Sequence, residues 1–77
     1  MTVECTLSEV MEIWPLQLAC QTSERRYHVA LTDETVISAG GGHLDPGILR
    51  PGMRIRVSGE PSGATALRAH RIEILSY

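Results

Sequence analysis

The chain has 77 residues, enough for one small domain that buries about 60% of the surface its unfolded form exposes, and too few for two stacked domains. Hydrophobic residues make up 43% and charged residues 21%, which excludes a disordered or collagen-like chain. A formal charge of −2 gives no net pull toward phosphate backbones or anionic membranes.

All seven basic residues are arginine, whose planar fork suits carboxylate or phosphate, so their placement matters more than their number. No apolar run reaches the roughly 18 residues of a membrane span. Glu4, Glu9 and Glu12 interrupt any signal-peptide core near the start. The cytoplasm is therefore the default location, with an exported or envelope setting as the alternative if an upstream signal is removed.

Alternation of apolar and polar residues predicts strands along the chain. Val3, Cys5 and Leu7 share one face, and Val10 returns to it only if a β-bulge near Ser8 and Glu9 repairs the register. Trp14-Pro15 lies in or beside a turn, because proline cannot donate to a central ladder. Leu16, Leu18 and Cys20 then point inward from a second strand. A hairpin turning about Glu12 and Ile13 sets Leu7 opposite Leu18 and Cys5 opposite Cys20. The first reading of the cysteines is two buried thiols, with a cross-strand disulfide as the alternative.

Thr22 to Arg25 reads as a turn, and Tyr27, Val29 and Leu31 form the inner face of a third strand. Thr32 to Glu34 kinks the chain before a short β-branched continuation, Thr35 to Ile37. Gly40-Gly41-Gly42 reads as a flexible loop. Asp45 and Pro46 look like the N-cap and first position of a helix of one or two turns, stopped by Pro51-Gly52. Ile55 and Val57 face inward from a fourth strand, and Gly59, Pro61 and Gly63 mark the next turn. Leu67 and Ala69 fall out of phase with Ile72 and Ile74, which implies a second bulge near His70 or Arg71.

These elements give a single all-β domain over residues 1–77: five strands with a short helix between the third and fourth. The pattern resembles the OB-fold, a five-stranded Greek-key barrel. "YHVALTDETVI", "ILRPGMRIRVSGE" and "ALRAHRIEI" also resemble segments of a bacterial domain family of unknown function with OB-like barrels. That likeness implies a barrel and an envelope setting, and the three segments carry no chemistry.

A last hairpin turning about Ser62 opposes Arg56 to Arg68 and Arg54 to His70 on the outer face. Like charges so placed call for an answer. Either Glu4, Glu9 and Glu12 supply it in an Arg/Glu ladder, or Arg54, Arg56 and Arg68 form an anion or acidic-partner site. For single-stranded nucleic acid, aromatic platforms contribute roughly 1 to 3 kcal/mol per base. Tyr27 is in phase with the core and Tyr77 is terminal, so Trp14 is the candidate, helped by Arg25, Arg26 and His28. The bland reading has Trp14 closing the barrel end.

Catalysis finds little in the residues. No motif groups His28, His43 or His70 with a nucleophile and oxyanion donors, and the glycine run lacks the Lys-Ser/Thr of a P-loop. His43 and Asp45 are two ligands where a metal needs three or four. The sequence thus points to a non-catalytic binding module without cofactor, meeting a protein partner or a second copy of itself. Weak nucleic-acid or anion binding is the alternative.

Overall fold

The computed structural model describes all residues, Met1 to Tyr77. Seven strands, β1 (Thr2–Met11), β2 (Gln17–Gln21), β3 (Arg26–Ala30), β4 (Val36–Ala39), β5 (Gly42–Leu44), β6 (Arg54–Gly63) and β7 (Ala66–Ser76), are joined by loops and one 3₁₀ turn at Pro46–Ile48. β1 pairs antiparallel with β2 and β6, β2 with β3, and β6 with β7. A parallel seam between β3 and β7 closes these five into a barrel. β4 resumes along β7 beyond that seam and carries β5 as an outer partner.

Both bulges fall where the phase changes place them. The β1–β2 register shifts between Leu7 and Glu9, and the β6–β7 register skips His70 between Ser58 and Gly59. The Ser8 hydroxyl donates to the Ala19 carbonyl at 3.1 Å, satisfying an acceptor at the irregularity. Leu18, Val29, Ile55, Val57 and Ile72 are fully enclosed, so inward parity on each barrel strand matches the alternation read above. Leu49 and Met53, from the segment entering β6, belong to the same core.

Both hairpin registers differ from expectation. Leu7 stands opposite Cys20 and Val10 opposite Leu18, because Pro15 keeps the returning chain out of the ladder until Gln17. Cys5 and Cys20 are therefore diagonal neighbours on the inner face, with Cα atoms 5.5 Å apart, and their sulfurs are joined. This corrects the reading as free buried thiols.

In the last hairpin β6 runs on through Pro61 to Gly63, and the chain turns at Ala64 and Thr65. β1 accompanies β6 only as far as Gly59, whose N–H donates to the Met1 carbonyl at 2.9 Å. Beyond that point one side of β6 is open, and the missing N–H of Pro61 costs no ladder bond. Arg56 consequently faces Glu73, and Arg68 faces Glu60, in place of the Arg56–Arg68 and Arg54–His70 oppositions.

The glycine run is a tight turn and not a flexible loop. Gly40 and Gly41 have φ of 62° and 93°, the left-handed values that a two-residue hairpin needs, and Ala39 pairs with Gly42 across it. The Asp45 carboxylate caps the 3₁₀ turn by accepting from the Gly47 N–H at 2.7 Å, so the predicted helix is a single turn of this kind.

Four outcomes follow for stability. A Cβ at Gly59 would collide with the Arg68 carbonyl at the bulge, whereas one at Gly41 meets nothing but demands positive φ. Urea unfolding should show Gly59→Ala costing about 3 kcal/mol and Gly41→Ala about 1 kcal/mol. Thiol titration in denaturant should find no free cysteine before reduction. Reduction should then lower stability by about 3 kcal/mol, the entropy of releasing a loop closed across 15 residues.

Candidate functional site

The outer face of the β1–β6–β7 sheet carries a charge row. Glu4, Arg56 and Glu73 occupy directly paired positions on three neighbouring strands. The Arg56 Nη2 donates to Glu4 at 3.0 Å and its Nη1 to Glu73 at 2.7 Å. Hydrogen bonding to Glu4, attraction to its charge and bonding to Glu73 hold Arg56 above the ordinary arginine pKa. Arginine is protonated throughout the working range in any case, so this shift adds no pH dependence. Arg54 lies 3.9 Å from Glu4, Arg26 3.4 Å from Glu9, and His70 3.2 Å from Glu60. All these pairs are well exposed, and such pairs are individually weak.

A different chemistry occupies one end of the barrel. The loop after β1 and the 3₁₀ segment face each other across a cleft of about 320 Å³, lined by Ile13, Trp14, Leu16, Leu49, Glu12 and Arg50, among others. Local sequence builds both walls. Pro15 holds Ile13 and Trp14 outside the ladder, where they stay 59% and 63% exposed. On the other wall, Pro51 and Gly52, with φ of 96° at the glycine, turn the chain so that the Met53 N–H meets the Arg50 carbonyl at 3.3 Å. Hydrogen bonds joining Leu7 to Gly52 and Met53, each 2.8 Å, fasten that turn to β1. Leu49 and Met53 seal the interior beneath it, the task sequence reasoning offered to Trp14.

The eight residues singled out from sequence do not meet in one place. Trp14 lines the apolar cleft. Arg26 and His28 line a smaller depression with Glu9, and Arg54 borders a polar one with Glu4, Gln21 and Thr22. Arg25 ends the Thr22–Arg25 turn, which is closed by a 2.8 Å bond from the Thr22 N–H to the Arg25 carbonyl. Arg56 sits between its two carboxylates, Arg68 stands exposed on β7 opposite Glu60, and His70 pairs with Glu60. Sequence reasoning missed Ile13, Leu49 and Arg50 as partners of Trp14, and Glu73 as a partner of Arg56. Two adjacent large apolar residues before a proline were the available signal for the first group. No three His, Cys, Asp or Glu side chains converge as a metal site.

If the charge row only tunes strand pairing, Arg56→Gln should shift the urea midpoint slightly at low ionic strength, and the shift should vanish near 1 M salt, where the Debye length is about 3 Å. A shift that persists in salt would refute this. In comparisons with known proteins, no protein-family model matches the chain and no curated protein matches it, so the bacterial-family resemblance rests on the three quoted segments alone.

Proposed function

We propose that this chain is a non-catalytic binding module on an OB-like Greek-key barrel, and that it takes an apolar segment of a protein partner into the cleft beneath Trp14. The OB-like part is supported by the closing order β1-β2-β3-β7-β6 with one parallel seam, and by the 3₁₀ turn between the third and fourth barrel strands. The binding part rests on one observation: Ile13 and Trp14, adjacent and more than half exposed, overhang an apolar cleft that they do not fill. Exposed tryptophan beside an apolar recess is the composition of an interface anchor. At about 320 Å³ the cleft is at the small end of ligand sites, room for one or two side chains.

Nucleic-acid binding has less support, because the stacking candidate and the arginines of β3 and β6 line separate depressions. Catalysis has less still, since His28, His43 and His70 all stand on open surface. No helix is long and apolar enough to cross a membrane. The Cys5–Cys20 disulfide favours an oxidising compartment over the cytoplasm.

The test is titration of Trp14 emission with an end-blocked peptide carrying two adjacent leucines and a glutamine. Saturable blue-shifted emission is expected, as is an affinity loss of about tenfold or more in Ile13→Ala. A flat titration would reject the cleft as a binding site. Sedimentation of the free protein examines the second occupant: dimerisation abolished by Trp14→Ala would make a second copy the partner.

A further inference from the structure

Building on the cleft reading, we infer that the occupant is acidic: a partner segment in which a carboxylate sits beside the apolar anchor, recognised by Arg50. Several arginines on the barrel strands already answer to carboxylates, Arg26 to Glu9, Arg54 to Glu4, and Arg56 to Glu4 and Glu73. Arg25, Arg50, Arg68 and Arg71 have no carboxylate within 4.0 Å, and of these four only Arg50 lines the cleft. The Arg50 Nη1 donates to the carbonyls of Gly47 and Leu49, the latter at 2.8 Å, which fixes the guanidinium while leaving Nε and Nη2 without a protein acceptor. A cation held in place loses little freedom when it binds a carboxylate, and the planar fork can present two parallel donors.

Glu12 is the opposing consideration, for it lines the same cleft and would favour a basic occupant. Its carboxylate makes no hydrogen bond or ion pair, so nothing fixes its side chain. It stands in the loop after β1. Arg50 and Glu12 are both exposed, and they differ in being held: a cation fixed by two carbonyls outweighs an unfixed anion, because the anion can swing into water at little cost.

The experiment sets the glutamine peptide against its glutamate counterpart, read by Trp14 emission on the intact protein at low salt. The glutamate peptide should bind about tenfold tighter, as for a charge-assisted hydrogen bond. Arg50→Met should erase that difference. Since losing Arg50 also frees the Gly47 and Leu49 carbonyls, a second variant leaves the turn intact. Glu12→Gln should strengthen binding of the glutamate peptide several-fold and leave the glutamine peptide unchanged. Equal affinities for the two peptides in the unaltered protein would overturn the acidic occupant while leaving the cleft reading standing. Silence from both peptides would sink the two together. Saturable binding of decanoate without either peptide would replace the partner segment with a fatty-acid site.

Discussion

β1 and β7 each serve different neighbours along different parts of their length, and the barrel depends on their bending to do so. β1 gives its first half to β6 and its second to β2, while β7 meets β6 along most of its course, β3 at its start and β4 further on. A straight strand with uninterrupted parity would turn half of its apolar residues outward at the change of neighbour. The bulges at Ser8 and His70 absorb one residue each, so Leu7 and Val10, and likewise Ala69 and Ile72, remain directed at one interior. The close approach at Gly59 belongs to the same constraint, since the skipped residue draws the Arg68 carbonyl toward β6 where a side chain would otherwise stand.

Bending also decides where the barrel can be open. β1 leaves β6 after Thr6, just ahead of the bulge, and the gap between them at that end is spanned by the segment from the 3₁₀ turn to Met53 and not by another strand. Leu49 and Met53 close the interior from this segment, so the apolar residues of the opposite loop have nothing left to cover. Ile13 and Trp14 are exposed for that reason, and the cleft is the space between a plug already seated and a loop that Pro15 keeps out of the ladder.

Inward parity was legible because it is local. Each alternating pair tests its neighbour two residues away, and the core positions Leu18, Tyr27, Val29, Ile55, Val57, Leu67 and Ile72 follow from nothing more. Register was not legible, because it depends on where a turn falls. Pro15 delays the start of β2, and Gly59, Pro61 and Gly63 look like a turn but lie within a strand whose far side has no partner. The bond between Cys5 and Cys20 hung on the same register, as did the pairing of Arg56 with Glu73. The glycine run carried a genuine turn signal, but the two short strands flanking it, β4 and β5, were too brief to announce a hairpin. The cleft joins Glu12–Leu16 to Pro46–Arg50, segments that only the closed barrel brings together.

The arginines illustrate how position sets what a charge is for. On the sheet faces, strand geometry puts Arg56 within reach of carboxylates on both neighbouring strands, and the residues satisfy one another in water where each contact is weak. At the barrel end there is no neighbouring strand to provide a carboxylate, and Arg50 is held instead by the backbone of the turn it terminates. A guanidinium bound only to carbonyls has no carboxylate paired with it. Lining the same cleft as Leu49, Leu16 and Trp14, Arg50 stands where a bound segment would exclude water and where the local dielectric would strengthen its hold on any carboxylate it met. Arg56 is thus a pairing device between strands, whereas Arg50 is an unanswered donor at the cleft, and that difference follows from the bend in β1 that left this end of the barrel without a strand.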